Sequence, residues 1–237
     1  MEVRKRKETV TELREVKAPE ETMKPGKQKR EEGFQMIKGG KGYTIADIEA
    51  LPEGERAELI DGEMFRMDAP TLTHQDLLVK LLFEIELHIR KNKGPCRVLP
   101  APFGVYIKKD DRNYVEPDIS VICDRDRLDQ KGCHGAPDWV IEIMSSSSVK
   151  MDSVRKVKLY QEAGVREYWI VDSGKETVSV YDFERGKAVR GTDIYAAGTC
   201  AAAPERWDEP MLYSFSERVK AGIFKDLYLE ISQMDFM

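Results

Sequence analysis

The chain has 237 residues, of which 41% are hydrophobic and 34% charged, enough to bury a core without requiring two domains. Lys and Arg total 38 against 43 Asp and Glu, a formal net charge of −5, which argues against a protein that coats nucleic acid by charge alone. An acidic metal site is compatible with this balance, because a bound divalent cation reverses the local charge.

Residues 1–40 differ in composition from the rest of the chain. Lys, Arg, Glu, Pro and Gly dominate, and large apolar side chains are sparse. This pattern predicts a flexible charged extension that ends at Gly39-Gly40. A nucleic-acid-binding tail is the alternative, although acids interrupt the run of bases. Residues 41–237 are predicted to form one folded domain.

The first half of that domain is predicted to contain two helices around a hairpin. Thr44 caps a short apolar helix, and Asp61-Gly62 is the turn of a hairpin within residues 58–67. A long helix runs from Thr73 to about Lys91, with Thr73 and Asp76 as a capping box. Its core-facing stripe comprises Leu77, Leu78, Leu81, Leu82, Ile85 and Ile89.

The second half alternates strands with a helix. Strand candidates are residues 97–107, 114–122, 138–144, 167–172, 177–183 and 187–190. A helix from Asp152 to Ala163 makes residues 138–172 a βαβ unit, whose two strands are expected to be parallel. Residues 222–231 are expected to form one helix or a docked terminal segment. The chain is therefore predicted to be a mixed α/β domain.

The four cysteines show no metal-binding spacing. None of Cys96, Cys123, Cys133 and Cys200 forms a CxxC pair, and a zinc corner made by Cys123, Cys133 and His134 lacks a fourth ligand. No apolar run is long enough to span a bilayer, and no apolar signal core follows the basic N-terminus. We expect a cytoplasmic protein with free thiols, not associated with a membrane.

Two acidic residues stand where a carboxylate is costly. Asp118 precedes the apolar run 119–122, and Glu142 lies inside the run 138–144. A carboxylate inside a buried strand must be ion-paired, hydrogen-bonded, protonated or bound to metal. A single structural salt bridge is the alternative for Glu142 alone. Two such acids on adjacent strands favour Mg²⁺ or Mn²⁺, which prefer oxygen ligands.

The helix after Glu142 offers a cation. Asp152, Lys156 and Tyr160 are four residues apart and share one helical face, so Lys156 can point toward Glu142. A lysine there can orient or deprotonate a water and stabilise charge in a phosphoryl transition state. An exposed Asp152–Lys156 pair is the alternative.

These segments resemble a known family. PDISVI (117–122), PDWVIEIMSSSS (137–148) and DSVRKVKLYQEAGVREYWIVD (152–172) are similar to the Uma-two family of endonucleases, within the PD-(D/E)XK superfamily. The opening YTIADIEALPEGERAELIDGEMFRM (43–67) and THQDLLVKLLFEI (73–85) also resemble it. The resemblance covers about residues 43–233. It implies a restriction-endonuclease-like α/β fold: a mixed β-sheet flanked by helices, with an N-terminal helix and hairpin.

The resemblance also implies roles for particular residues. Asp118 and Glu142 match the two metal-binding acids. The commonest superfamily pattern has a lysine two residues after the second acid, where this chain has Met144. In the Uma-two pattern the lysine lies on the next helix, and Lys156 matches it. Glu58 matches an acid that can complete the metal's shell.

Three further residues are candidates for lining the site. His74 matches a histidine often found at the start of the long helix, with a capping or core role as the alternative. Ser145 opens a serine run that lacks the family's usual proline. Its hydroxyls and amides could contact phosphate, and a merely polar loop is the alternative. Tyr160 shares the helical face of Lys156.

The predicted function is magnesium-dependent hydrolysis of phosphodiester bonds in DNA, with Asp118, Glu142 and Lys156 as the catalytic set and Glu58 assisting. A homodimer is expected, because cutting both strands usually needs two active sites. Two alternatives stay open: a catalytically silent nuclease-fold module that binds DNA or regulates, and a structural α/β protein with ordinary salt bridges. Candidate DNA contacts, or ordinary surface charges, are Lys108, Lys109, Arg112 and Arg155.

Overall fold

The structure is a computed structural model that describes residues 35–36, 42–144, 149–184 and 209–234, with only the backbone described at 35–36 and 149–153. Most of the charged extension, Ser145, the strand candidate 187–190 and Cys200 lie outside these residues. None of the helices within the described ranges is long and apolar enough to cross a membrane.

The described residues form three α-helices and thirteen short strands. The helices are α1 (Ile45–Glu49), α2 (Leu72–Lys91) and α3 (Val149–Ala163). The strands are β1 (Gln35–Met36), β2 (Ala57–Ile60), β3 (Glu63–Arg66), β4 (Arg97–Pro100), β5 (Val105–Tyr106), β6 (Ile119–Ile122), β7 (Cys133–His134), β8 (Trp139–Met144), β9 (Glu167–Asp172), β10 (Thr177–Asp182), β11 (Met211–Ser214), β12 (Val219–Lys220) and β13 (Tyr228–Leu229).

Six strands form the central sheet, in the order β11-β10-β9-β8-β6-β4. β8 and β9 are parallel and the other neighbours are antiparallel, so the predicted βαβ unit and mixed sheet are confirmed. A smaller sheet, β1-β3-β2, contains the predicted hairpin. Because β6 and β8 are neighbours, the residues at the start of β6 lie beside those in β8.

A helix covers each face of the central sheet, α2 on one face and α3 on the other. The stripe of α2, with Leu81 and Ile85 fully buried, belongs to one apolar cluster with Ile141 of β8. Tyr160 of α3 belongs to a second cluster with Val140, whose side chain points to the opposite face of the sheet. Burying each large aliphatic side chain contributes about 1.5–3 kcal/mol, so both helices are held by these contacts.

Three boundaries differ from the prediction. Thr71 caps α2, accepting a hydrogen bond from His74 N at 3.3 Å, so the predicted cap at Thr73 is wrong. The candidate strand 97–107 is two strands, because Pro102 has no amide hydrogen to continue the ladder. Helix α3 begins at Val149 instead of at Asp152.

The C-terminal segment is a turn followed by a short extended stretch. Residues 222–231 do not form one helix; they include β13 and the first residue of a 3₁₀ turn, Ile231–Gln233. Leu227, Leu229 and Ile231 are buried at alternate positions, the spacing of an extended chain. The alternative of a docked terminal segment therefore describes it.

The expectation of free thiols is wrong for two cysteines. Cys96 and Cys123 form a disulfide, because the pairing of Arg97 with Ile122 in β4 and β6 places them opposite each other. The zinc corner is excluded, since the sulfur of Cys123 is in that bond. Cys133 is free and buried.

Candidate active site

Asp118 and Glu142 lie side by side at one end of the sheet. Asp118 immediately precedes β6, and Ile119 pairs with Ile141 of β8. The amide of Ile143 donates a hydrogen bond to Asp118 Oδ2 at 2.7 Å. This bond fixes the aspartate against the strand that contains Glu142, so the two carboxylates belong to one site.

Lys156 reaches Glu142 from helix α3 and also contacts Glu58. Its Nζ lies 2.9 Å from Glu142 Oε1 and 2.8 Å from Glu58 Oε2. Lys156 is only 6% exposed, so the alternative that placed it in a solvent-exposed surface pair is wrong. An ammonium between two buried carboxylates compensates charges that would otherwise be costly to bury.

Glu58 is the deepest acid of the site. It lies in β2 and is fully buried. Its Oε1 accepts a hydrogen bond from the amide of Glu116 at 3.0 Å. Its Oε2 contacts Lys156 as an ion pair but lacks hydrogen-bond geometry. Glu58 therefore contacts the site through Lys156.

Tyr160 completes the surroundings of Glu142. Its hydroxyl donates a hydrogen bond to Glu142 Oε1 at 2.7 Å, so α3 directs two donors, one turn apart, to the same carboxylate. Burial raises the pKa of Glu142 to about 7; the ammonium of Lys156 opposes this, and the carboxylates of Glu58 and Asp118 add to it. The site thus carries more negative charge than its lysine compensates.

His74 borders the more exposed side of the site. It lies in the first turn of α2, with Nε2 3.1 Å from Asp118 Oδ1. Its side chain is 19% exposed, against 14% for Asp118 and 10% for Glu142. Burial lowers the pKa of His74, but the hydrogen bond to Asp118 and the charges of Asp118 and Glu142 outweigh it, so the pKa is raised. His74 is thus the most exposed of these three side chains.

The donor set fits a magnesium ion better than a zinc ion. Across the described residues, no three His, Cys, Asp or Glu side chains are arranged to hold a metal. Mg²⁺ needs only one or two carboxylates, since water and substrate phosphate complete its shell. Lys156 and Tyr160 both contact Oε1 of Glu142, which leaves Oε2 outside these two contacts, and each oxygen of Asp118 has a second lone pair.

The structure thus brings together six of the residues singled out from the sequence: Asp118, Glu142, Lys156, Glu58, His74 and Tyr160. Ser145 lies outside the described residues. Sequence reasoning missed Tyr168, whose ring meets that of Tyr160 edge to face at 4.8 Å between centroids. Tyr168 and Ile170 are two residues apart in β9, so their side chains are on the same face of the strand. This alternation is the sequence pattern that could have indicated Tyr168.

A six-stranded mixed sheet with helices on both faces, and with two acids from adjacent strands at one end, agrees with the fold that the resemblance to restriction-endonuclease-like proteins implies. The Uma2 (Uma-two) family, described as "Putative restriction endonuclease", matches residues 45–203. That match covers more than half of the chain, so the chain belongs to the Uma2 family and the resemblance found in the sequence is confirmed.

Two individual proteins are similar to this chain. An uncharacterized protein of Synechocystis sp. (strain ATCC 27184 / PCC 6803 / Kazusa) is 28% identical over 129 residues, 54% of this chain and 66% of that protein. A crystal structure described as a putative nuclease belonging to DUF820, from Anabaena variabilis ATCC 29413, has a TM-score of 0.60 and 21% identity, covering 81% of this chain and 97% of the other. The second match confirms the fold class. The descriptions of the family and of this neighbour support a nuclease function.

Proposed function

We propose that this chain is a magnesium-dependent endodeoxyribonuclease, which hydrolyses phosphodiester bonds in DNA. The observation that supports it best is the location of Lys156, 2.9 Å from the carboxylate of Glu142. Met144, at the position where the commonest pattern has lysine, cannot supply a cation. A helical lysine that reaches Glu142 supplies the cation that phosphoryl transfer requires.

Magnesium held by Asp118 and Glu142 would polarise the scissile phosphate and lower the pKa of an attacking water. Lys156 would orient that water or neutralise the charge that develops on the phosphate oxygens. Manganese, which accepts the same oxygen ligands, would substitute for magnesium.

Positioning is the task of the surrounding residues. The amide of Ile143 and the ring of His74 each hold one oxygen of Asp118, so its carboxylate is fixed before substrate arrives. Tyr160 does the same for Glu142, and Glu58 for Lys156. Fixed groups stabilise a transition state without the cost of reorganisation during the reaction.

Cutting both strands of a duplex needs two such sites, so we further propose a homodimer. Light scattering on the purified full-length chain measures this directly. A mass of about twice 27.2 kDa is expected. If the chain is a monomer and nicks only one strand, the proposed dimer is wrong and the proposed hydrolysis still holds.

A cleavage assay tests the proposal. The full-length chain is incubated with duplex, single-stranded and branched DNA, in magnesium and in EDTA. The parent is expected to cleave at least one form in magnesium only, and Asp118→Asn to lose about 100-fold or more. Lys158→Met, on the same helix but with a 73% exposed side chain, is the matched control and should cleave like the parent.

Lys156→Met is the sharper variant, but it leaves the buried Glu58 and Glu142 without their shared cation, at a cost of about 3–5 kcal/mol. The double variant Glu58→Gln/Lys156→Met removes the cation together with one carboxylate, which keeps the net charge of the site unchanged, and is expected to fold and not to cleave. If Asp118→Asn cleaves like the parent, the site is assigned wrongly. Manganese binding measured by calorimetry, without cleavage of any DNA form, would identify a silent module instead.

A further inference from the structure

A groove runs along one edge of the central sheet, between helix α2 and β4. Its volume is about 960 Å³. The α2 side includes Val79, Leu82, Leu87 and Arg90, and Val79 and Arg90 are about 16 Å apart along the helix axis. An extended chain covers that length with about five residues. We call this feature the α2–β4 groove; its other side is residues 96–99.

The α2–β4 groove follows the backbone edge of β4 instead of one face of the strand. Four consecutive residues, 96–99, line it. Because the side chains of a strand alternate between its two faces, a groove on a single face would be lined by alternate residues only. Val98 belongs to the apolar cluster on the α2 face of the sheet, and Leu99 packs against the cluster on the α3 face. The groove therefore reaches both faces around the outer edge of the strand.

The outer edge of β4 offers backbone groups without a strand partner. β4 is the terminal strand of the described sheet, in which only β6 pairs with it. The amide of Ala101 donates a hydrogen bond to Asp118 O at 3.0 Å, so these two residues form a hydrogen-bonded pair that continues the β4–β6 register. Such pairs alternate along antiparallel strands. Leu99 therefore also bonds toward β6, whereas Val98 directs its N–H and C=O outward along the groove.

The groove has a positive rim in an acidic protein. Arg90, Lys93, Arg97 and Arg125 line it against one acid, Glu86, whereas the chain as a whole carries −5. Glu86 pairs with Arg90. Lys93 and Arg97 are both exposed, and neither makes an ion pair within the described part of the chain. The rim therefore favours a ligand with negative charge.

The same charges disfavour a second copy of this chain at the edge. If β4 paired antiparallel with β4 of another copy about a two-fold axis at Val98, the two copies of Arg97 would lie diagonally opposite each other, about 7–8 Å apart. Like charges at that distance repel, because it is shorter than the screening length of about 10 Å at 0.1 M salt. A nucleic acid has the opposite charge but lacks the N–H and C=O groups that would complete the strand. An acidic polypeptide has both.

We propose that the α2–β4 groove binds an extended acidic segment of another protein, which pairs with β4 as a seventh strand of the sheet. The main chain of the segment bonds to the outward groups of Val98. Its apolar side chains contact Val79 and Leu87 of α2, and its carboxylates face Lys93 and Arg97. Strand addition takes its affinity from main-chain hydrogen bonds and its specificity from alternate side chains. The proposal is independent of the nuclease function, since the candidate active site lies on the α3 face of the sheet.

Binding is measured on the full-length chain with a labelled peptide in which valine and glutamate alternate. A peptide with lysine in place of glutamate is the charge control and should not bind. Two further peptides carry N-methyl groups, one on every valine and the other on every glutamate. The N–H groups of alternate residues point to opposite edges of a strand. One N-methylated peptide should therefore bind about tenfold more weakly or worse, and the other like the unmodified peptide.

Variants of the chain test the rim and the apolar side separately. Lys93→Gln/Arg97→Gln should weaken the valine–glutamate peptide about tenfold at low salt, since each lost exposed ion pair contributes about threefold. Lys158→Gln, a 73% exposed lysine on α3, is the matched control and should bind like the parent. Val79→Ala/Leu87→Ala shortens the apolar side and keeps a good helix former. It should weaken binding about tenfold and leave the salt dependence unchanged.

The amide of Val98 reports where the peptide binds. The valine–glutamate peptide should slow its hydrogen exchange in the parent chain, as measured by nuclear magnetic resonance. The proposal is wrong if that peptide does not bind, because the charges would then only protect the edge strand from pairing. It is also wrong if both N-methylated peptides lose affinity or neither does, or if Lys93→Gln/Arg97→Gln binds like the parent. An oligothymidylate that displaces the peptide and binds more tightly would make the groove a nucleic-acid site instead.

Discussion

Replacing Glu142 by glutamine is expected to stabilise the metal-free protein while it abolishes cleavage. Glu142 is 7% exposed, and burial raises its pKa from 4.5 to about 7. That difference corresponds to about 3 kcal/mol in the free energy of unfolding once the carboxyl is ionised. The glutamine has no charge to bury, and its oxygen can still accept the hydrogen bond from Tyr160. Most of the cost should therefore disappear in the variant.

The gain must depend on pH. An acid whose pKa is higher in the folded chain holds its proton more tightly when folded, so the parent loses stability as the pH rises from 4.5 to about 7. Glu142→Gln has no such proton. The stability difference between variant and parent should therefore grow by about 3 kcal/mol from about pH 4 to about pH 8. Urea unfolding in EDTA at several pH values measures it.

Two comparisons make this result decisive. Glu53→Gln, at an exposed position, should match the parent at every pH. Added magnesium should stabilise the parent and not Glu142→Gln, because only the parent keeps both carboxylates. A Glu142→Gln variant that is less stable than the parent by the same amount at every pH would refute the reasoning, since Glu142 would then be a well-compensated structural acid.

Three other perturbations test contacts elsewhere in the described structure. Tyr160→Phe removes the hydroxyl that donates to Glu142 and should cost about 1–3 kcal/mol in urea unfolding. Tyr168→Phe removes a buried hydroxyl without a hydrogen-bond partner in the described structure, so it should be at least as stable as the parent; the opposite order would contradict these assignments. Reduction of Cys96–Cys123, separated by 27 residues, should cost about 3–4 kcal/mol. Dithiothreitol should shift the parent's urea midpoint and leave Cys96→Ala/Cys123→Ala unchanged.

The spacing of apolar residues predicted those parts of the fold in which contacting residues are close in sequence. The βαβ unit was predictable because residues 138–144 are apolar except at Glu142, as in a strand buried on both faces. The disulfide was not predictable, because it depends on the register between β4 and β6, which the sequence does not specify. The prediction of a helix at residues 222–231 was wrong for a similar reason. This stretch contains enough aromatic and aliphatic residues for a helix. Only its packing in the folded chain determines that alternate residues are buried.

The candidate site divides in the same way. Helical spacing predicted that Lys156 and Tyr160 share a face, and the strand context made Glu142 conspicuous. The depth of Glu58 was beyond sequence reasoning, because its burial depends on how the hairpin packs and on an amide from Glu116. Tyr168 was missed because an aromatic residue in a buried strand usually indicates core packing alone.

The commonest pattern has its lysine on the strand, whereas this chain has Lys156 on helix α3. The position of the lysine in this chain therefore depends on the packing of that helix. Met144 lies two residues after Glu142 in β8, so both side chains are on the face of the sheet that packs against α3. Lys156 reaches Glu142 on that face from α3. A lysine on β8 would be fixed by the strand itself. Lys156 is correctly placed only while α3 is docked, a condition to which Tyr160 contributes through its bond to Glu142. Activity in this chain should therefore be lost with the packing of one helix, before the sheet that holds the two acids unfolds.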